Sequence, residues 1–272
     1  MDIQFFDVHS HLNNPQFAEN FNLLEKTLKD KKVLVVSSGF NIESSRSSVD
    51  LAKKYSEIYA SIGIHPSEAS EEIKKYWPVI DELAENKKVV AIGETGLDYH
   101  FKENISEKEI NKLKALQREL FLYQIKLSHK LNKPLVIHCR EAFSDLIKIL
   151  KENKEFLLNP AGIVHFFSGT VSEAESLLDL NFYFSFNSTI LRKPRPNFPN
   201  YGEVIDYLPL NSILIETDAP YIKLNPYNKP EKMSEIFTEI ADKIAEIKIV
   251  DTNDAREATV FNALEVFGIF DI

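Results

Sequence analysis

Three observations in the sequence predict a (β/α)8 barrel, the α/β class in which eight parallel strands are ringed by helices. Eight short apolar runs alternate with segments of helical period. Six His, Glu and Asp residues stand at or just past the C-terminal ends of five of those runs. With 272 residues and 44% hydrophobic content, the chain can bury one large core, so residues 1–272 are expected to form a single domain.

The elements follow in order. The first strand, 3–8, is the run Ile3-Gln4-Phe5-Phe6-Asp7-Val8, which leads directly into His9-Ser10-His11. Helical period covers 16–30, and the Val-rich run Val33-Leu34-Val35-Val36 marks a strand at 33–37. A helix at 43–55, a strand at 58–63 and a helix at 71–86 come next, then a strand at 89–93 built on Val89-Val90-Ala91-Ile92. The helix at 107–131 is the most regular, with Ile110, Leu113, Leu116, Leu120, Tyr123, Leu127 and Leu131 at mostly three- and four-residue spacing. Strands at 134–138, 162–166, 182–186 and 212–216 alternate with helices at 142–153, 171–179 and 201–207. Helices at 230–248 and 252–266 close the chain, the last being an extra C-terminal helix. Ser70, Ser106 and Ser172, each followed by Glu, read as N-cap positions with acids in the first turn.

Composition narrows the function. Eight Gly and twelve Pro are too few for a linker-rich chain. A net charge of −9 argues against a broad basic surface for gripping long duplex nucleic acid, although bound divalent ions would offset part of it locally. Cys139 is the single cysteine, so no intramolecular disulfide forms, as expected in a reducing compartment. No signal-type segment opens the chain, because Asp2 and Asp7 interrupt it, and no window reaches the roughly 18 apolar residues of a membrane span. These features predict a soluble cytoplasmic protein with no membrane or obligate protein partner.

The polar strand-end residues predict a metal centre. His9 and His11, at i and i+2 on an extended segment, face the same side. Glu94, His138, His165 and Asp218 follow the fourth, fifth, sixth and eighth apolar runs. These ends converge only if the strands are parallel and close into a ring; a doubly wound open sheet would scatter them. In a two-metal reading, His9, His11 and Asp218 hold one ion, His138 and His165 hold the other, and Glu94 bridges. Such ligands suit Zn, Mn, Co or Fe, with Mg the poorest match to a three-His site. Two ions roughly 3.5–4 Å apart stabilise both the attacking and the leaving oxygen of a displacement. Asp218 is placed to take the proton of the attacking water. His65, at the end of the third strand, is expected to contact substrate or orient a ligand instead of binding metal. Asp98 either orients a histidine or caps a turn, and Cys139 is expected to point away from the mouth.

The segments "DVHSHLN" from Asp7, "GIHP" from Gly63, "GETGLDYH" from Gly93, "PLVIHCREA" from Pro134, "HFFSG" from His165 and "ETDAPY" from Glu216 resemble the motif series of the TatD family of metal-dependent hydrolases. The resemblance spans essentially the whole chain. It implies an amidohydrolase-like TIM barrel that hydrolyses DNA, often from an end, with His9, His11, Glu94, His138, His165 and Asp218 at the positions of the family's metal ligands. Asn13 stands where family members commonly carry Asp, and Phe166 where they commonly carry Cys. The stretch after Tyr221 is short and lacks the Arg- and Asn-bearing loop often seen in members that act on nucleic acid.

For substrate charge the candidates are Arg140 and, after the seventh strand, Arg192 and Arg195. Arg140 is equally suited to a salt bridge with Glu141 or Glu216. A narrow mouth with few cations favours a DNA single strand or 3′ end over duplex wrapping. The expected activity is therefore a 3′ exonuclease-type DNase. The alternatives are an amide, ester or lactone hydrolase or an aminoacyl-tRNA deacylase on the same metal pair, and a metal-retaining barrel that binds without turnover.

Overall fold

In the computed structural model, which describes residues 3–101, 105–193, 200–222, 226–228 and 232–270, eight strands form one parallel sheet in sequence order. They are β1 (Phe5–Ser10), β2 (Val33–Ser38), β3 (Ile58–Ile62), β4 (Val89–Asp98), β5 (Leu135–Arg140), β6 (Gly162–Val164), β7 (Phe182–Phe186) and β8 (Ile213–Ile215). The helices are α1 (Phe21–Lys31), α2 (Ile42–Lys54), α3 (Trp77–Ala84), α4 (Glu107–Leu131), α5 (Phe143–Glu152), α6 (Val171–Leu178), α7 (Tyr201–Tyr207), α8 (Met233–Lys248) and α9 (Thr252–Phe267). Each strand pairs with its successor, as the barrel prediction requires.

The alternation of side chains splits the core in two. Phe5, Val33, Val35, Ile62, Leu135 and Phe184 pack among the surrounding helices. Phe6, Val8, Leu34, Val36, Val136 and Leu214 form the barrel interior and pack against Val260, Leu264 and Phe267 of α9. The extra helix is thus the plug of the barrel. Its Asn262 donates to the carbonyls of Leu210 (2.9 Å) and Ile213 (2.8 Å), meeting the backbone at the start of β8.

β1 and β8 close the ring at a seam held partly by a side chain. Asp218 N–H donates to His9 O (2.9 Å) and His11 N–H to Ala219 O (2.7 Å). Buried Asp7 accepts from Thr217 N–H, Thr217 Oγ1 and Tyr227 OH.

Several boundaries differ from the sequence expectation. β1 runs to Ser10, so His9 lies inside the strand, and a register break between Asp7 and Ser10 interrupts the alternation there. β4 runs on to Asp98 with a break between Ile92 and Thr95, which puts Glu94 in a bulge instead of beyond the strand. Gly96 permits that path: its φ is +128°, and a Cβ there would lie 2.1 Å from the carbonyl oxygen of His138. The segments expected as helices at 16–30 and 71–86 each begin as a 3-10 turn, Pro15–Asn20 and Ile73–Tyr76. Ser106 caps α4 as expected, but Thr170, not Ser172, caps α6 through a reciprocal pair with Glu173. Ser70 contributes only its backbone carbonyl, to Ile73.

Candidate metal centre

The dyad at the end of β1 is built by β2. His9 and His11 bring their Nε2 atoms within 3.2 Å of each other, and both rings are buried. Ser38 holds both. The Nδ1 of His11 lies 3.0 Å from the Ser38 carbonyl, which can only accept, so Nδ1 carries the proton and Nε2 presents its lone pair. The Nδ1 of His9 meets the Ser38 hydroxyl at 3.1 Å. That hydroxyl accepts from Ser61 Oγ (3.2 Å), which also lies 2.9 Å from Gly93 O. With Nε2 turned to His11 and the two acids, the Ser38 contact at Nδ1 holds the His9 ring in place.

Two acids complete this half. Nε2 of His9 lies 3.8 Å from both Glu94 Oε2 and Asp218 Oδ1, and Nε2 of His11 lies 3.7 and 3.6 Å from the same atoms. Four donors on a tetrahedral ion at zinc-ligand distances of roughly 2.0–2.1 Å stand about 3.3 Å apart, so the donor set fits such an ion. His9, His11 and Asp218 alone already meet within 4.8 Å. Asp218 adopts a left-handed backbone (φ 48°) at this bend.

The second half gathers around the other oxygen of Glu94. Oε1 lies 3.1 Å from His138 Nδ1 and 3.0 Å from His165 Nε2, and these two nitrogens are 3.4 Å apart. The halves touch, since the His9 and His165 rings stack at 3.9 Å. Six residues predicted from separate strand ends therefore meet in one cluster, with Glu94 turned to both sides.

Burial would lower the pKa of His165, but the adjacent Glu94 carboxylate outweighs it and raises it to about 9. Burial likewise opposes, and the neighbouring carboxylates outweigh, in His11 and His138, both raised. His9 is pushed well below its usual value, by burial first and then by His165. Burial works to raise Glu94, yet the facing His65 and His165 hold it well below the ordinary range. Carboxylates that hold protons on buried imidazoles hold a cation equally well in their place.

Around the donors lies a supporting shell. Asp98 Oδ2 stands 3.3 Å from His138 Nε2, a carboxylate that favours the proton on that nitrogen and turns Nδ1 to the metal side. Gln117 of α4 clamps the backbone of Asp98, accepting from its N–H (3.0 Å) and donating to its carbonyl (2.8 Å). Buried Glu216, bonded to Ser185 Oγ (2.5 Å) and Asn187 Nδ2 (3.0 Å), faces His165 Nδ1 at 3.7 Å. Ser38, Gln117 and Glu216 were not foreseen. Glu216 did carry a signal, an acid at the end of an apolar run. Ser38 and Gln117 carried none, because their residue types are common and their partners are remote in sequence.

The cluster floors a cleft of about 1080 Å³ whose lining includes Phe40, His65, Arg140, Phe143, Tyr201 and Tyr221. His65 faces Glu94 Oε1 at 3.5 Å. Arg140 is exposed on the wall, and among the described residues it pairs with neither acid considered for it. Glu216 is buried with Ser185 and Asn187, and Glu141 binds His100 at 2.7 Å. Arg192 is exposed but does not line the cleft, and Arg195 lies outside the described residues. Cys139 is buried yet belongs to the cleft lining, so it does not simply turn from the mouth; burial pushes its thiol pKa up. No helix among the described residues is long and apolar enough to cross a membrane.

Residues 6–268 match the family model described as TatD related DNase. A Bacillus subtilis relative, named uncharacterized metal-dependent hydrolase YabD, is 34% identical over 265 residues, covering 97% of this chain and 99% of the relative. The Escherichia coli protein named 3′-5′ ssDNA/RNA exonuclease TatD is 30% identical over 267 residues, covering 94% and 98%. The crystal structure of YjjV, a TatD homologue from E. coli, superposes with a TM-score of 0.79 at 26% identity over 99% of this chain and all of that one. An E. coli phosphotriesterase homology protein, at 13% identity and a TM-score of 0.66, shares the fold alone. The parallel eight-stranded barrel, the donor cluster at its mouth and a family match along nearly the whole chain agree: this protein belongs to the TatD-related DNase family of metal-dependent hydrolases.

Proposed function

We propose that this hydrolase is a two-metal nuclease of the 3′ exonuclease type, acting on single-stranded DNA or RNA ends, with residues 1–272 as one catalytic domain. The observation that carries the reading is Glu94, one oxygen toward His9 and His11 and the other toward His138 and His165. The exonuclease name borne by a 30%-identical relative supports the substrate class.

In this reading His9, His11 and Asp218 hold one divalent ion, His138 and His165 hold a second, and Glu94 bridges them. Zn, Mn, Co and Mg are the ions to test. A bound pair supplies Lewis acidity for the attacking water and for the phosphoryl oxygens. Asp218 takes the proton from the water and returns it to the leaving oxygen. Arg140, exposed on the cleft wall, offers paired N–H groups to a phosphate, with Arg192 as an outer contact; Arg195, the other candidate, lies outside the described residues. Tyr221 is 59% exposed and lies 5.1 Å from the His11 ring, so its face is open to a base.

The test is nucleotide release from 3′- and 5′-labelled single-stranded DNA and RNA, with metal-stripped enzyme refilled separately with Mg, Mn, Co and Zn. Metal-dependent release from the 3′ end, absent in Asp218→Asn, is expected. Glu94→Gln should lower metal occupancy, because a neutral amide bridges two cations poorly. No release with any metal at full occupancy would move the assignment to amide or carboxylic ester substrates.

A further inference from the structure

We propose that His65 is a neutral hydrogen-bond donor to a phosphoryl oxygen of the substrate, not a metal ligand, and that Gln124 is the positioning residue that aims it. The substrate oxygen rests on the phosphodiester reading above; the exclusion from metal binding does not. The backbone N–H of Ser67 donates to His65 Nδ1 at 3.1 Å, and Ser67 Oγ lies 2.8 Å from the same nitrogen. An amide N–H cannot accept, so Nδ1 holds a lone pair and the single proton of the imidazole sits on Nε2. This is the reverse of His11, where Nδ1 faces a carbonyl and Nε2 bears the lone pair.

The polarity decides what the neighbourhood can bind. His65, Asp98 and His138 bring one polar atom each within 4.8 Å, which by composition alone resembles a third cation site. His138 Nε2 faces the Asp98 carboxylate at 3.3 Å, which favours a proton on that nitrogen, and His65 Nε2 has its own proton. Neither imidazole offers a lone pair there, so the cluster suits an oxygen ligand and not a cation. The His65 Nε2–H is not consumed internally: Glu94 Oε1, at 3.5 Å, is too far for a good hydrogen bond, and the side chain opens to the cleft with 14% exposure.

The aim of this donor is set from α4. Gln124 accepts from Ile64 N–H (2.9 Å) and donates to Ile64 O (2.9 Å), gripping the residue before His65. It also donates to Thr95 Oγ1 at 2.6 Å, next to Glu94. One amide thus ties the His65 turn to the metal-facing bulge of β4. His65 N–H bonds Phe40 O (2.8 Å), which fixes the other side. A donor held this rigidly costs no reorganisation when charge grows on the oxygen it faces.

The experiment uses the full chain loaded with zinc. Long-range 1H–15N spectra should report the Nε2–H tautomer for His65. His65→Leu should keep its full metal content by elemental analysis but bind inorganic phosphate at least about tenfold more weakly, since a hydrogen bond to a charged group is lost. His65→Gln, which can still donate, should recover part of that affinity. Gln124→Glu, which keeps the bond from Ile64 N–H but loses both donations, should weaken phosphate binding with metal content unchanged. An Nδ1–H tautomer, loss of an ion in His65→Leu, or unchanged phosphate affinity would each overturn the proposal. Phosphate binding that depends on His65, in an enzyme that releases no nucleotide, would keep the donor and sink the nuclease reading instead.

Discussion

Thr217, two residues past β8, donates both its backbone N–H (2.9 Å) and its hydroxyl (2.6 Å) to the carboxylate of Asp7 on β1. The same carboxylate accepts from Tyr227 OH and, more weakly, from His9 N–H at 3.3 Å. A side chain thus does the work of ladder bonds where the first and last strands meet, two residues before His9 and one before Asp218.

Asp7→Ala should destabilise the metal-stripped protein by roughly 1–3 kcal/mol for each buried N–H left without an acceptor. Asp7→Asn should cost less, because it keeps one acceptor oxygen. Urea unfolding checks the order, and equal stability of all three proteins would show that the seam is held elsewhere.

Ser38 serves His9 through its hydroxyl and His11 through its carbonyl. Ser38→Ala removes only the first of these and frees the His9 ring. Metal affinity should fall about tenfold or more, as for other lost partners of ligand histidines, with the fold intact. Competition with a chelating dye reads this, and wild-type affinity would count against the Ser38 hydroxyl as the anchor of the His9 ring.

Metal binding should strengthen as pH rises. In the metal-free protein His165 keeps its proton until about pH 9, against an ordinary value of 6.5. Ligation needs the lone pair, so below that point each ion bound must displace a proton. Apparent affinity should climb by up to about tenfold per pH unit per proton displaced and level off above about pH 9. A flat profile between about pH 7 and 9 would mean that His165 does not ligate.

Asn13→Asp should destabilise the protein even though family members commonly carry Asp there. The Asn13 Nδ2 group faces three oxygens: Ser38 O (3.0 Å), Ser44 O (2.9 Å) and Ser48 Oγ (2.8 Å). A carboxylate has nothing to donate to the two carbonyls. The expected cost is roughly 1–3 kcal/mol. An unchanged melting temperature would show that the loop repacks.

The barrel, the strand order and the six clustered residues were legible in the sequence because they rest on local regularities. Alternating apolar runs and helical period are properties of short windows, and His, Glu and Asp at successive strand ends announce a shared mouth. Only the tertiary structure decided how those residues are presented. The bulges that swing His9 and Glu94 into the site depend on register against β2 and β5. The tautomer of His11 is set by the Ser38 carbonyl and that of His65 by the Ser67 N–H, while the Ser38 hydroxyl holds the His9 ring and Asp98 faces that of His138. Of these, only Asp98 lies within a quoted motif; Ser67 stands one residue past another. A lone pair's direction is fixed by what stands on the far side of the ring, and for most of this site that partner comes from another strand.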